Sequence, residues 1–194
     1  MRTSFSPDSM RASDFYHVLT SSIVPRAIAW VSTRSSDGVL NLSPYSFFTV
    51  ASTDPPIVQF TSIGHKDTWR NVCETGEFVV NIAGTPLIHQ MNDSSADHDP
   101  SVSEFDQVGV TPENSDVVAA PRVAEASVAF ECVRHSVIEI GNGSIILGRV
   151  VHASITDAVL GAGGVPDFVK LDPLSRLGRS DWGLRMDTLT LARP

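Results

Sequence analysis

The hydrophobic pattern of this chain changes period at Gly64, and this change constrains the fold more than any other feature of the sequence. Residues 57–61 are apolar and β-prone, which is typical of a strand. After Gly64 the apolar residues stand at helical spacing, namely Trp69, Val72 and Cys73. Gly76 occupies the position of a helix C-cap. The pattern predicts a strand that leads into a helix over about residues 67–75.

Strand patterns dominate the rest of the first half. Residues 27–32 are apolar and β-prone, and residues 35–38 have turn chemistry, so together they predict a hairpin. Residues 41–52 form a long segment whose aromatic residues interrupt strict alternation, and the Asp-Pro-Pro sequence at 54–56 ends it. Residues 77–82 return to strand character.

The second half combines an irregular stretch with a second β region. Residues 84–121 are rich in Asp, Ser and Pro and predict an excursion from the sheet. Two short helices are expected within it, around residues 86–91 and 103–108. Residues 123–156 predict further strands, with a reversal between antiparallel strands at 141–143. From residue 159 onward we expect mostly loop, with a brief helix or an extended arm.

Length and charge restrict the function. The 194 residues can bury one sizeable core, so we expect a single domain over residues 1–194. Fourteen basic against 22 acidic residues give a net charge of −8, which repels nucleic acid and anionic membrane surfaces. No apolar run approaches the roughly 20 residues that span a bilayer, and the N-terminus has no signal-peptide pattern. We therefore expect a cytoplasmic protein with no nucleic-acid or membrane partner.

Neither the cysteines nor the histidine clusters indicate a metal. Cys73 and Cys132 match no zinc or disulfide spacing, and their apolar neighbours predict small core residues, with a reactive thiol as the alternative. Histidine and acidic residues at 89–93 and 97–99 invite a metal interpretation, but a solvated loop explains them. We predict no metal site.

The junction at residues 61–71 is the best candidate for a ligand site. It places hydroxyl residues, Gly64 and Lys66 where a strand ends and a helix begins. Free N–H groups and the positive end of the helix dipole converge at such a junction and can bind a phosphate. The alternative is that Asp67 or Thr68 merely caps the helix while Lys66 is solvated.

Two common nucleotide motifs and one hydrolase motif are absent. A P-loop would need glycines where Phe60 and His65 stand. The glycines at 161–164 fail as a dinucleotide fingerprint, because Pro166 and Asp167 follow instead of a long helix. No Gly-x-Ser-x-Gly elbow supports a serine hydrolase.

Short motifs occur along nearly the whole chain in a particular order and spacing. In the first half they lie at residues 25–32, 41–48, 54–56, 66–68 and 75–81. In the second half they comprise Glu131-Cys132, residues 148–152, residues 171–173, Arg176-Leu177-Gly178 and Trp182. The series resembles the flavin reductase-like family of FMN-binding split barrels.

The resemblance implies a mainly β fold with peripheral α-helices, an FMN-binding split β-barrel with Greek-key character. It also implies a homodimer with FMN near the subunit interface. The phosphate is expected among Ser62, Lys66, Asp67 and Thr68, and the isoalloxazine edge along residues 43–47. Polar side chains of this strand can serve the flavin's pyrimidine edge. The full predicted cofactor-binding set is Arg26, Asn41, Ser43, Pro44, Tyr45, Ser46, Phe47, Thr61, Ser62, Ile63, Gly64, Lys66, Asp67, Thr68 and Trp182.

Several of these residues have a second interpretation. One or two of the strand aromatics are expected to be plain barrel core, among Tyr45, Phe47 and Phe48. Arg26 could be a surface charge or could reach ribityl or phosphate oxygens. Trp182 could stack over the flavin or anchor the tail. His152, the catalytic candidate, could contact a nicotinamide or be a satisfied barrel histidine.

The resemblance implies an FMN-dependent oxidoreductase, an NAD(P)H:flavin reductase. Hydride from NADH or NADPH would pass to the flavin N5, and electrons would then reach an acceptor. Such an enzyme takes a small-molecule substrate and could serve a separate monooxygenase partner. Two alternatives remain open. One is a carrier or sensor that holds FMN without turnover, and the other is a flavoenzyme acting directly on a small organic substrate, with residues 84–121 lining its pocket.

Overall fold

The computed structural model describes residues 1–192, so the last two residues of the predicted 1–194 range lie outside the described part. The helices are α1 (Ala12–Ser22), α2 (Asp67–Thr75), α3 (Ile88–Asp93), α4 (Glu104–Val108) and α5 (Phe168–Leu171). The strands are β1 (Arg26–Ala27), β2 (Ala29–Arg34), β3 (Leu40–Tyr45), β4 (Phe48–Thr53), β5 (Pro56–Ile63), β6 (Glu77–Ile82), β7 (Pro112–Glu113), β8 (Arg122–Val123), β9 (Val128–Ile140), β10 (Gly143–Ile155), β11 (Ser175–Arg176) and β12 (Trp182–Gly183).

Seven strands form one antiparallel sheet in the order β3, β2, β6, β9, β10, β5, β4. The two edge strands, β3 and β4, are consecutive in sequence and are joined only by Ser46 and Phe47. So short a link cannot cross a flat sheet of this width, because neighbouring strands lie about 4.8 Å apart. The sheet therefore curls until its edges meet, and the predicted barrel is confirmed. At the seam the Thr61 N–H donates to the Phe47 carbonyl at 3.0 Å.

The local predictions around α2 are confirmed. The helix spans Asp67–Thr75 and ends at Gly76, whose left-handed backbone (φ +75°) is the expected C-cap. The excursion carries α3 and α4 close to the predicted positions. The segment 41–52 differs in detail, because it is divided into β3 and β4 by the link at the barrel seam. Helix α1 was not predicted.

The reversal predicted at 141–143 joins β9 and β10, which are longer than the sequence indicated. Their pairing shifts register between Leu147 and Gly148 and again between Val150 and His152, which bends the hairpin around the barrel. A Cβ on Gly148 would lie 2.1 Å from the ring of Phe78. Only glycine therefore fits at this bend.

The core has two main parts. The barrel interior is filled by Ala29, Val31, Tyr45, Val58, Phe60, Val72, Phe78, Val80, Cys132 and Ile146. A second layer packs α3, α4 and the tail against the outside of the sheet, through Ile28, Trp30, Leu42, Met91, Phe105 and Leu174 among others. Both cysteines are free; Cys132 is fully buried, as predicted, and Cys73 is half-buried.

A small three-stranded sheet joins distant parts of the chain. Strand β11 of the tail pairs with β1 on one side and with β12 on the other, so Arg26 lies opposite Arg176. The expected arm and short helix of the tail are thereby both observed. Within residues 1–192, no helix combines the length and apolarity needed to cross a membrane.

Candidate functional site

The strand-to-helix junction lies between the end of β5 and the start of α2. Lys66 is the N-cap residue of α2, and no side chain caps this helix end. The first-turn N–H groups therefore lack intrahelical acceptors beside a cavity of about 230 Å³. The alternative in which Asp67 or Thr68 serves as the cap is not observed: Thr68 donates to Asn41, and Asp67 pairs with Arg70.

Charges of both signs surround this cavity. Lys66 Nζ lies 3.1 Å from Asp97 Oδ1, and the side chains are 52% and 91% exposed. His65 stacks on Trp69 with 3.8 Å between ring centroids. Because the Lys66 pair is open to water, it is weak and can exchange its carboxylate for a ligand phosphate.

A buried hydrogen-bond network ties the junction to β3. Asn41 Oδ1 accepts from Thr68 Oγ1 at 2.7 Å and from Thr33 Oγ1 at 3.3 Å. Asn41 Nδ2 and the Leu42 N–H each donate to Glu104 Oε2 at 3.0 Å. Both ends of the Asn41 amide are therefore engaged within the protein. Asn41 holds α2 against β3 and also lines the cavity at Lys66, so its predicted contact with the cofactor stays a prediction.

Tyr45 presents an unpartnered hydroxyl at the same corner. Its side chain packs in the barrel interior, as the core interpretation expected, and the residue is 7% exposed. The hydroxyl lies beside those of Thr68, Ser43 and Ser62 yet makes no hydrogen bond within the described chain. Burial raises the pKa of Tyr45, with a smaller opposing effect from these hydroxyls. A neutral, buried donor without an acceptor suits a ligand that brings one.

Of the residues at the end of β5, some line a cavity and others only stabilise the turn. The Ser62 hydroxyl is fully buried and donates to the Gly64 carbonyl at 3.1 Å, so it braces the turn instead of facing a cavity. Gly64 has a φ of +73°, which permits the sharp exit from the strand, and its N–H donates to Asn142 at 3.0 Å. Thr61 and Ile63 line a second cavity of about 190 Å³.

Three neighbouring cavities form one groove along β3. The cavity at Lys66 and the second cavity share Ser43, Tyr45, Lys66 and Ser95. The second cavity and a third, of about 160 Å³, share Pro44, Ser46 and Ser95. All five residues of the predicted stretch 43–47 thus line a groove that starts at the helix N-terminus.

The far end of the groove is formed by the tail. The Arg176 guanidinium lies over the Trp182 ring, 4.7 Å from its centroid, and both side chains line the third cavity. Trp182 anchors the tail through β12 of the small sheet and also borders the groove, while stacking over the flavin stays a prediction.

Arg26 links α1 to the tail by hydrogen bonds behind the groove, and we call this set of bonds the Arg26 clasp. Its guanidinium donates to the carbonyls of Thr20, Ile23 (3.1 Å) and Leu177 (2.9 Å), and lies 3.4 Å from the Ser46 hydroxyl. It joins α1 to the tail and lines none of the three cavities. The contact with ribityl or phosphate oxygens considered for Arg26 finds no support in this geometry.

His152 lies away from the groove. Its Nδ1 is 3.2 Å from Glu131 and 3.7 Å from Asp116, and it lines none of the three cavities. Among residues 1–192 this trio is the one group with metal-ligand spacing. Its carboxylates are already engaged, by Arg122 on Asp116 at 2.7 Å and by backbone N–H groups on Glu131. His152 therefore fits the description of a satisfied barrel histidine.

Sequence reasoning missed several residues of the groove, among them Ser95, Asp97, Glu104 and Arg176. The first three lie in the excursion, where no periodicity indicates direction. Arg176 belonged to a quoted motif, but its place beside Ser46 follows from the β1–β11 pairing.

Comparisons with known proteins agree with this architecture. Residues 21–169 match the flavin reductase like domain family. The nitrilotriacetate monooxygenase component B structure from Bacillus cereus is 32% identical, with TM-score 0.94 over 98% of this chain and 99% of that one. The 2-nitrobenzoate 2-nitroreductase structure from Pseudomonas fluorescens is 27% identical, with TM-score 0.92 over 99% and 96%. A structure from Shewanella frigidimarina that contains a split barrel domain, 21% identical with TM-score 0.89 over the whole of both chains, has the same fold.

Proposed function

Because the chain belongs to the flavin reductase-like family, we propose that it is an FMN-dependent oxidoreductase that takes electrons from NADH or NADPH. The main support for the proposal is the continuous groove along β3. One end of the groove has the features of a phosphate-binding site, and the adjoining part has both apolar and polar side chains that can contact a flat ring system. FMN has a phosphate at one end and a flat ring at the other. The described residues form, on this proposal, one FMN-binding domain.

The junction residues fit the FMN phosphate. The uncapped start of α2 offers N–H groups and a positive dipole end, and Lys66 adds a charged donor. Tyr45 supplies a hydroxyl that lacks an acceptor. In a chain of net charge −8, this local arrangement is needed to hold an anion.

The ring system would lie along residues 43–47. Ser43 and Ser46 offer hydroxyls, while Pro44 and Phe47 offer apolar surface. Bound FMN would supply the redox chemistry, accepting hydride at N5 and passing electrons to an acceptor. The chain's own residues bind, orient and shield the ring, so few catalytic side chains are required.

A homodimer is part of the proposal. Ile138 and Ile140 of β9 are 50% and 61% exposed, and Ile63 of β5 is 45% exposed. Gly143 pairs with both Ile63 and Ile140, which places these side chains on one face of the sheet. Ile63 also lines the groove, so a partner covering this patch would lie next to the ring system.

Anaerobic mixing with NADH or NADPH tests the function. Rapid bleaching of the flavin band supports the reductase, and addition of free flavin or a monooxygenase component then identifies the acceptor. A yellow protein indifferent to both nucleotides would favour an FMN carrier or sensor. A protein that is colourless after incubation with FMN and removal of the free flavin would refute flavin binding altogether.

Direct reduction of an organic substrate is the second candidate. The Pseudomonas fluorescens neighbour is described as a 2-nitrobenzoate reductase, and the third cavity gives this chain room for a small molecule beside the proposed ring site. Faster flavin reoxidation by a nitroaromatic acid than by free flavin would favour it.

The cytoplasmic location remains a proposal, compatible with two free cysteines.

A further inference from the structure

The third cavity, at the end of the groove away from Lys66, has features that the flavin does not require. It measures about 160 Å³ and is lined by Ile28, Pro44, Ser46, Ser95, Arg176 and Trp182 among others. This volume is below the 300–1,000 Å³ of typical drug-sized sites, so it suits a molecule with a single ring. Its wall combines apolar side chains with one arginine.

The Arg176 guanidinium is held in place but has N–H groups that donate to no acceptor within residues 1–192. Its guanidinium stacks on Trp182, and one nitrogen donates to the Arg179 carbonyl at 2.7 Å. Among residues 1–192, no carboxylate lies within ion-pair distance of it. A guanidinium has five N–H donors in a planar fork that matches a carboxylate. Stacking fixes the plane of the fork and leaves its edge available.

A second arginine sits beside the first without a counter-ion. Arg26 lies directly opposite Arg176 in the β1–β11 pair, and like charges so placed repel. All the hydrogen bonds of Arg26 go to neutral oxygens. Burial lowers the pKa of Arg26, while Tyr16 raises it and the charge of Arg176 has a smaller lowering effect. In a chain with 22 acidic residues, two adjacent cations without a carboxylate form a site that an external anion would stabilise.

We propose that this cavity binds a monocyclic aromatic carboxylate, with the carboxylate on Arg176 and the ring against Ile28. The size of the cavity selects one ring, the apolar wall selects an aromatic body, and the guanidinium edge selects the carboxylate. The inference rests on the proposed function in one respect only, that the adjoining groove holds the flavin. Occupants of this site would therefore lie at the edge of the flavin ring.

Calorimetric titration with benzoate tests the subsite on flavin-free and FMN-loaded protein. Arg176→Ala should weaken benzoate binding by about ten- to a hundredfold, because a charge-assisted pair worth roughly 1.5–3 kcal/mol is lost. Arg176→Gln removes the positive charge but keeps a planar polar group. It is the variant to use if Arg176→Ala folds poorly. Arg34→Ala, which removes an exposed arginine at the end of β2, should leave benzoate affinity unchanged. Neutral benzamide should bind at least tenfold more weakly than benzoate.

The outcomes separate the two proposals. Loss of benzoate affinity in both Arg176 variants, with Arg34→Ala unaffected, supports the subsite even if FMN itself fails to bind and the proposed function falls. If wild-type protein ignores benzoate while binding FMN, the subsite is refuted and the proposed function stands. If Arg176→Ala weakens FMN but leaves benzoate binding intact, Arg176 serves the flavin and the inference is overturned.

Discussion

The hydroxyl of Thr68 donates a hydrogen bond to the side-chain oxygen of Asn41 at 2.7 Å, which ties the first turn of α2 to β3 inside the protein. Both residues are buried, at 1% and 7% exposure. While this bond lasts, Thr68 can offer a phosphate only its backbone N–H, since its hydroxyl proton is committed. Thr68 is therefore a positioning residue for the junction.

Thr68→Val should destabilise the protein by about 1–3 kcal/mol, because it keeps the side-chain shape but leaves Asn41 without its shorter hydrogen bond. The FMN affinity should fall with it, since the start of α2 loses its anchor. Thr68→Ser restores the hydroxyl and should recover most of both quantities. Urea unfolding and FMN titration measure them, and a valine variant with unchanged stability would show that the bond contributes nothing.

Lys66→Ala should weaken FMN binding by roughly ten- to a hundredfold, because a charged donor contributes roughly 1.5–3 kcal/mol. Asp97→Asn is the matched variant: it removes the carboxylate 3.1 Å from Lys66 and should tighten FMN binding. Fluorescence quenching of FMN measures both. Equal affinities in wild type and Lys66→Ala would place the phosphate elsewhere.

Tyr45→Phe should affect the stability of the flavin-free protein and its affinity for FMN in different ways. The buried hydroxyl has no partner within the described chain, so its removal should leave the flavin-free protein as stable or more stable. FMN binding should nevertheless weaken, by up to about tenfold, if the phosphate accepts this hydrogen bond. Burial raises the pKa of Tyr45, so the donor stays protonated and its contribution should not titrate up to pH 10. A variant with unchanged affinity would remove Tyr45 from the site.

Glu131→Gln should flatten the acid side of the stability profile. Burial alone would raise the pKa of Glu131, but N–H groups of Asp116, Val117 and Val118, helped by His152, bring the pKa below its ordinary value. A carboxylate with a lowered folded pKa stabilises the fold above its unfolded pKa, near 4.3, and loses that contribution as pH falls through the folded pKa.

The Gln variant should therefore lose about 1.5–3 kcal/mol at pH 7 and lose less than wild type on acidification below pH 4. Chemical unfolding at a series of pH values measures this. Glu125→Gln is the control, because Glu125 also accepts a backbone N–H but is exposed, and its effect should be small. Parallel wild-type and Glu131→Gln profiles would contradict the explanation.

The two cysteines should react very differently with iodoacetamide. Burial raises the pKa of Cys132 to about 12, so its thiolate is scarce and shielded at pH 8. Cys73 is half-buried and should be alkylated first. Mass spectrometry of the native protein should find label at Cys73, with Cys132 labelled only after unfolding. Early labelling of Cys132 would revive a reactive-thiol role for it.

Features set by neighbouring residues could be predicted from the sequence. The boundaries of α2 follow from helical spacing and from Gly76, whose left-handed backbone requires no tertiary contact. The reversal between β9 and β10 is likewise local. The stretch 43–47 was identified through the family resemblance, and every residue in it lines the groove.

Features set by closure of the barrel could not be predicted. Glu104, the first residue of α4, bonds to Asn41 from 63 positions away, and nothing nearby in sequence indicates this contact. His152 is placed by strand register, which sets it opposite Glu131 and turns it to the 115–118 loop instead of the groove. The contacts of Arg26 could not be predicted either, because it donates to backbone carbonyls, which every residue has.

The clasp between Arg26 and the Leu177 carbonyl spans 151 positions of the chain. During translation, the wall formed by Arg176 and Trp182 cannot assemble until residues beyond 182 have left the ribosome, after all seven barrel strands. The barrel strands emerge earlier and can pair first. The groove is thus walled at this end only after the barrel strands have been made, and a chain truncated after residue 173 should form its barrel while lacking one end of the groove.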